Sequence, residues 1–398
     1  MNRKTILSSA IVLYFIIGFE ILIMISPFAG LFYSVFTPFF LELARYPATR
    51  WLSAFFLPHM VVPPGAFLKF VRVTGSVLFV TGLSVFFICA LQVYTNKFMK
   101  RGTALKGLYS VIRHPQYVGL AMAGIGLAVL WPRFLTMALW VVMIGIYYLL
   151  SKDEERRMLK AYPETYGEYM KKTGMFLPKK LERPLSPRGV VGKFALFALI
   201  AAFIIGSVFS LRYYTVKQLP LWEEYPGDAS GPHVVALAIM PDDMQMMDHR
   251  MNYILQMKEV GAKLKNNENY LVYFIPPDYI MQGMIADTGK KWRLYRRHHF
   301  TLIRFMDWVF HPFSHLSGHY HSAHMGRPGQ GMGMSMVRRL IFLNVSGAAM
   351  SRPSDFFSIN ANRVPRFMVD VDVHDLKLVQ MRDLPTDTGW GKLPTPMF

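Results

Sequence analysis

The chain has 398 residues, enough for two or three domains, and 53% of them are hydrophobic. Its mean hydropathy of +0.25 is high for a soluble protein, and the apolar residues come in blocks, which favours an integral membrane protein. Most of the net charge of +19 lies between the apolar blocks of residues 1–212, which is typical of membrane-protein loops and predicts no nucleic-acid partner. The single cysteine, Cys89, excludes an intramolecular disulfide and a cysteine-based zinc site.

The apolar runs of residues 1–212 predict about five membrane spans, including a helical hairpin. The run Ile6–Ile25 follows two basic residues and lacks a clear cleavage site, so we interpret it as an uncleaved first span with its amino terminus in the cytoplasm. The other predicted spans are Val73–Tyr94, the hairpin arms Tyr117–Trp131 and Phe134–Leu150, and Phe194–Leu211. The loop charges predict a multi-pass protein of an inner or plasma membrane, with residues 213–398 on the extracytoplasmic side.

After Arg212 the composition changes to that of a soluble module of mixed α/β structure. Its predicted strands are His233–Met240, Tyr270–Ile275, Arg339–Val345 and Phe367–His374. A helix that begins at Asp242 or Asp243 and ends at about Lys265 would join the first two strands into a β-α-β unit. The sequence therefore predicts two domains, an α-helical membrane domain at 1–212 and an extracytoplasmic α/β module at 213–398.

Two polar motifs flank the predicted hairpin. The first contains Arg113, His114, Pro115, Tyr117 and Gly119, and the second contains Glu154, Glu155, Tyr166 and Tyr169. Both motifs fall where a span meets the same membrane surface, so they would present cations, a histidine, phenols and two carboxylates to one pocket at the lipid–water boundary. Taken alone, each motif also fits an interfacial anchor or a solvated helix end with ion pairs four residues apart.

At these residues, over about 70–180, the chain resembles the isoprenylcysteine carboxyl methyltransferase and phospholipid methyltransferase superfamily. Its members are integral membrane enzymes that use S-adenosylmethionine. The resemblance implies that Arg113 pairs with a carboxylate of the cofactor or substrate, which makes it the candidate catalytic residue. The cofactor-binding residues that it implies are His114, Tyr117, Gly119, Glu154, Glu155, Tyr166 and Tyr169.

The activity implied by this resemblance is methyl transfer to a lipidic or membrane-partitioned acceptor at the cytoplasmic face. S-adenosylmethionine already carries an activated methyl group, so the protein must hold the cofactor, align the acceptor and accept a proton, and it needs no nucleophile of its own. The alternative is a non-catalytic membrane subunit that anchors the outer module in a larger complex with other membrane proteins. The superfamily also contains sterol reductases that bind a nicotinamide cofactor, and the motifs alone do not distinguish these activities.

The predicted outer module contains a segment rich in histidine, methionine and glycine. Its histidines are His311, His315, His319, His321 and His324. Imidazole and thioether groups together suit copper or another transition metal, so these histidines are candidate metal ligands. Pro312 and Gly318 interrupt the helix that would place them on one face, and a contact surface or a solvated loop fits the same composition.

Overall fold

The computed structural model describes residues 42–57, 65–99, 105–185, 187, 189–218, 222–225, 231–239, 243–277, 279, 282, 285–286, 336–347 and 352–386. The predicted first span, Ile6–Ile25, lies outside these residues. The five candidate metal-binding histidines also lie outside them.

Three described helices are long and apolar enough to cross a membrane: α1 (Ala66–Phe98), α3 (Phe134–Ala161) and α6 (Gly189–Gln218). The helix between the first two, α2 (Pro115–Leu130), is apolar but shorter. At ~1.5 Å per residue α2 is about 24 Å long, less than the ~30 Å of a bilayer's hydrocarbon core. The prediction of about five spans is therefore confirmed for three helices only.

Glycines allow α1 and α2 to pack with their backbones in close approach. A Cβ added at Gly82 would lie 2.3 Å from the backbone nitrogen of Ala123, and one added at Gly126 would lie 2.4 Å from that of Phe79. Both distances are shorter than any side-chain carbon tolerates, so glycine is required at these contacts. Small residues at such crossings are typical of helix pairs in membranes, where close backbone packing replaces the hydrophobic driving force.

Two short helices, α4 (Pro163–Lys172) and α5 (Lys179–Leu185), connect α3 to α6. Both begin next to a proline, which cannot continue a preceding helix but fits the first helical turn. The buried Tyr166 is the residue through which α4 packs inward.

The carboxyl-terminal module is built on a six-stranded sheet. Its strands, in both chain order and spatial order, are β1 (Trp222–Tyr225), β2 (His233–Ala238), β3 (Asn269–Ile275), β4 (Val337–Ser346), β5 (Asn362–Asp372) and β6 (Lys377–Asp383). Strands β2 and β3 are parallel, and all other neighbours are antiparallel. A crossover through α7 (Asp243–Gln256) joins β2 to β3, which confirms the predicted β-α-β unit. The helix ends before the predicted Lys265 and is followed by a separate turn, Lys258–Gly261.

Both faces of the sheet are covered. On one face Phe367, Val369 and Val371 pack with Met247 and Met251 of α7. The opposite face is covered by a 3-10 turn, Pro353–Phe357, and by the end of α6. This double coverage explains why Met368 and Asp370, on the opposite face of β5 from Phe367 and Val369, are buried as well.

The last membrane helix and the sheet module are joined by buried contacts. Val216 of α6 belongs to the sheet's hydrophobic core. One turn earlier, the buried Arg212 guanidinium donates one hydrogen bond to the Phe55 carbonyl and another, of 2.8 Å, to the Phe357 carbonyl. The helix therefore continues through the predicted domain boundary at 212 and enters the module to which it connects.

The module lies at the end of the helices where α3 begins. Arg133, just before α3, donates a 2.7 Å hydrogen bond to the Ser53 carbonyl, and Phe55 pairs with the backbone of Arg133. The same segment receives the hydrogen bond from Arg212. The motifs around His114 and Glu154 lie at the opposite end of α2 and α3.

Candidate functional site

The backbone of the first motif is fixed by pairing with the segment after α4. The amide of Arg113 donates to the Gly174 carbonyl at 2.8 Å, and the amide of His114 donates to the Met175 carbonyl at 3.1 Å. Pro115 then begins α2, where its missing amide hydrogen costs nothing because the first helical turn leaves its amides unbonded. Two loops that are distant in sequence thus hold Arg113 and His114 against the end of α3.

Arg113 lies in a buried ion pair with Glu155. Its Nε is 2.6 Å from Oε1 of Glu155, and both side chains are almost fully enclosed. The guanidinium also donates to the carbonyl of Thr173, and Lys152 binds the other oxygen of Glu155 at 3.1 Å. Such a pair is costly to break because either partner alone would be a buried, uncompensated charge. These contacts suit Arg113 and Glu155 to holding the loops and helices together.

His114 lies between the two adjacent carboxylates. Its side chain is only 3% exposed, with Nδ1 3.4 Å from Glu154 and Nε2 3.6 Å from Glu155. Neither ring nitrogen makes a hydrogen bond within the protein. Burial alone would lower the pKa of His114, but the two carboxylates outweigh it and raise the pKa above its ordinary value. The imidazole is thus buried and polar, and the two carboxylates favour its protonated form.

Glu154 is the more accessible of the two carboxylates. About a third of its side chain, 34%, is exposed. The Tyr117 hydroxyl donates a 2.7 Å hydrogen bond to one carboxylate oxygen, and the Tyr117 ring stacks on Tyr147 at 5.3 Å. Glu154 is therefore held in position by a phenol and yet open on one side, as a residue that binds a cation must be.

The two tyrosines of α4 lie beside this cluster. The rings of Tyr166 and Tyr169 are 5.5 Å apart, and the Tyr169 hydroxyl donates to the Tyr109 carbonyl at 2.6 Å. Burial raises the pKa of the Tyr166 phenol, and the charge of Glu155 raises it further. Tyr166 is therefore a neutral, buried polar wall of the site, while Tyr169 ties α4 to the turn that precedes the first motif.

Gly119 lies away from this cluster. A Cβ added there would be 2.8 Å from the carbonyl oxygen of Gly82 and 2.8 Å from the backbone nitrogen of Phe86, both on α1. Gly119, which the resemblance implies as a cofactor-binding residue, therefore makes a close backbone contact with a neighbouring helix.

Two aromatic residues of the site were not predicted. Tyr147 stacks on Tyr117, and the Phe176 ring lies 6.0 Å from that of His114. Tyr147 precedes Glu154 by two helical turns and therefore shares its helix face, a spacing that could have identified it. The sequence offers no comparable signal for Phe176, because the pairing of its loop with Arg113 and His114 places it.

The described geometry brings together a buried arginine, a buried histidine, two carboxylates and several tyrosines at one end of an apolar helical hairpin. A comparison with protein families bears directly on this arrangement. Residues 71–165 match the family model for phospholipid methyltransferase. This match confirms, over those residues, the resemblance inferred from the motifs. No curated protein and no solved structure matches the chain significantly.

The matched residues, 71–165, include α2, α3, Glu154 and Glu155, whereas Tyr166 and Tyr169 follow them. Methyltransferases of this family generally use S-adenosylmethionine. The residues present fit that cofactor, because the partly exposed Glu154 supplies the negative charge that a sulfonium or an amino group requires, and the ring nitrogens of His114 make no hydrogen bond within the protein. Among the described residues, no group of three or more histidines, cysteines or carboxylates has the arrangement of a metal site.

Proposed function

We propose that this protein transfers a methyl group from S-adenosylmethionine to a lipidic or membrane-partitioned acceptor. The observation that carries the proposal is His114, buried between Glu154 and Glu155 with neither ring nitrogen hydrogen-bonded. Hydrogen-bonding capacity that a buried polar group leaves unused costs stability, so its presence beside the partly exposed Glu154 favours a ligand there. Together with the family match, this arrangement supports a ligand site at the inner end of α2 and α3.

Within this proposal the side chains have distinct roles. Glu154, oriented by Tyr117, binds the positively charged part of the cofactor, which supplies an activated methyl group when bound. Arg113 and Glu155 are positioning residues, because their mutual ion pair and their contacts to Thr173 and Lys152 already occupy them.

In its neutral form, His114 serves as the general base that takes the proton from a protonated methyl acceptor. It is enclosed, so water does not compete for its ring nitrogens, and the adjacent carboxylates stabilise the proton that it gains. Tyr166 closes the side of the site toward α4, and Tyr169 holds α4 in place through the Tyr109 carbonyl. Gly119 has a packing role in this scheme.

The acceptor reaches the site from the bilayer. The family match implies a lipid substrate, and the site lies where the apolar surface of α3 ends. We place this end in the cytoplasm, because the residues around it carry most of the loop lysines and arginines, and the sheet module on the opposite side of the membrane. In this arrangement the module supplies no group to the reaction.

Binding of S-adenosylmethionine to the purified full-length protein tests the site. Isothermal titration should show that Glu154→Gln weakens binding at least tenfold, about 1.4 kcal/mol, as expected for the loss of a charged interaction. His114→Ala should weaken it as well. The matched control is Glu164→Gln, which removes an exposed carboxylate of α4 and should leave binding unchanged. Unchanged affinity in both site variants would contradict the proposal and would favour a non-catalytic subunit.

A further inference from the structure

A shallow groove lies between the carboxyl-terminal turns of α3 and α4, beside the proposed cofactor site. It encloses about 430 Å³ and is lined by Lys152, Glu155, Arg156, Leu159, Lys160 and Met170. Its apolar lining comes from Leu159, which is 37% exposed, and from the half-buried Met170. The groove thus combines an accessible apolar floor with cationic walls.

The basic residues of the groove form one stripe along α3. Lys152, Arg156 and Lys160 are spaced four residues apart, which places them on the same helix face. The side chains of Lys152 and Arg156 are 45% and 71% exposed. Lys179 extends the positive charge at this rim, because its ammonium donates to the Met170 carbonyl at 3.3 Å.

Nearby carboxylates do not cancel this charge. Glu155 is bound both by the buried Arg113, at 2.6 Å, and by Lys152, at 3.1 Å, so two cations share its single negative charge. Asp153 is shared between Arg156, at 2.7 Å, and Arg157, at 3.1 Å. The groove therefore keeps an excess of positive charge that suits an anion.

The length of α3 places the groove at the depth of lipid headgroups. The part of α3 without charged residues, 134–151, is about 27 Å long at ~1.5 Å per residue. This is close to the ~30 Å thickness of the hydrocarbon core, so a bilayer that covers this part ends at Lys152. Arg156 and Lys160, one and two turns further on, then lie in the headgroup layer and at its aqueous edge.

We propose that this groove binds the headgroup of an anionic phospholipid. Lys152, Arg156 and Lys160 contact the phosphate and any further acidic group, and Leu159 and Met170 contact the adjoining glycerol and first methylenes. Clustered basic residues next to a membrane helix attract anionic lipids in this way. The bound lipid is not the methyl acceptor, and the inference does not depend on the proposed methyl transfer.

Lipid binding to the full-length protein in detergent tests this inference. Native mass spectrometry would count bound phosphatidylglycerol and phosphatidylcholine at equal concentrations. Wild-type protein should prefer phosphatidylglycerol, and the double variant Arg156→Glu, Lys160→Glu should bind it about tenfold more weakly. The matched control, Lys180→Glu, Arg183→Glu, makes the same change of charge at exposed positions of α5 and should stay within about twofold of wild type.

The milder double variant Arg156→Gln, Lys160→Gln should show an intermediate loss of phosphatidylglycerol binding. It keeps the test valid if the charge-reversed protein misfolds. Inorganic phosphate at the lipid's concentration should not displace phosphatidylglycerol, because it lacks the apolar contacts. Several results would overturn the inference: equal binding of the two lipids, wild-type binding by the groove variants, or an equal loss in the α5 control. Displacement by inorganic phosphate would also overturn it, because the groove would then be a site for the free ion.

Discussion

His114 shows how a single side chain gains its chemistry from the groups around it. Its imidazole is enclosed by the protein, and each ring nitrogen faces a different carboxylate of α3: Nδ1 faces Glu154 and Nε2 faces Glu155. The neighbouring cation, Arg113, is bound to Glu155 and so does not cancel the effect of both carboxylates. Proton uptake at His114 is therefore favourable despite burial.

This proton should make stability depend on pH. The pKa of His114 is raised from 6.5, so its proton stabilises the folded state fully below about pH 6.5, and this contribution is lost as the pH rises through the pKa of the folded protein. Thermal unfolding of wild type and His114→Gln in detergent, from pH 5 to pH 9, measures it. The advantage of the wild type should be largest in acid and shrink toward pH 9; an advantage that grows with pH would contradict the assigned protonation.

The Arg113–Glu155 pair should matter more for folding than any exposed pair. Arg113→Met leaves the buried Glu155 with only the half-exposed Lys152 and the more distant His114, and the loss of one partner of a buried pair costs about 3–5 kcal/mol. Unfolding in denaturant measures this loss. The control, Lys171→Met, breaks the exposed pair with Glu168 and should have little effect. Equal effects of the two substitutions would show that Arg113 is not a structural anchor.

Much of the site was predictable from the sequence, because the spacing of the two motifs places them next to each other at one end of the hairpin. The sequence placed Arg113, His114, Tyr117, Glu154 and Glu155 at the two termini of one hairpin, and the structure brings these residues into contact. The sequence could not assign the two carboxylates different environments. Glu155 differs from Glu154 because Arg113 and Lys152 bind it, and Arg113 is itself held by the carbonyl of Thr173. A contact to a backbone carbonyl has no signature in the sequence.

At the scale of elements, apolar length predicted the helices and alternation predicted the central strands. The edge strands β1 and β6 were missed. Strand β1 has only four residues, two of them adjacent glutamates, and β6 is largely exposed, so neither shows the alternation of apolar and polar residues that predicts a strand. Strand β5 begins at Asn362, earlier than predicted. The prediction began after Pro365, because proline lacks the amide hydrogen that a strand needs, and the register shift between Phe342 and Leu343 accommodates this proline.

The packing of α1 on α2 leads to a test at the level of two helices. Gly82→Ala adds a carbon only 2.3 Å from the backbone nitrogen of Ala123, so the helices must separate, at a cost of about 1–3 kcal/mol. The matched control is Gly206→Ala in α6, where an added Cβ meets nothing within 4 Å. Thermal unfolding should show a loss for Gly82→Ala and none for Gly206→Ala, since alanine favours a helix. A harmless Gly82→Ala would contradict the described helix contact.

On the scale of the whole molecule, the site and the sheet module lie at opposite ends of the membrane helices. The sequence predicted a module after residue 212 but not how it is attached. Arg212 reaches carbonyls of Phe55 and Phe357, which are far from it and from each other in the sequence. Such contacts depend on the assembled fold and leave no local pattern.

This arrangement predicts the labelling of single cysteines in sealed vesicles. The native Cys89 is 1% exposed and should react little, so it gives a low background. A cysteine at Lys180 in α5 should be protected from a membrane-impermeant maleimide added outside right-side-out vesicles, whereas one at Lys377 in β6 should be labelled. Detergent should make both reactive. Labelling of both positions, or of Lys180→Cys alone, would contradict the proposed orientation.

The transfer of a labelled methyl group to lipid is the most direct test of the central claim. The full-length protein would be reconstituted in vesicles of membrane lipid and incubated with S-adenosylmethionine labelled in its methyl group, and the lipid fraction would then be extracted and counted. Label should appear in lipid only when wild-type protein is present. It should fall at least tenfold with Glu154→Gln and stay unchanged with Glu164→Gln. Cofactor binding without label in any lipid, or transfer that persists unchanged in Glu154→Gln, would contradict the central claim.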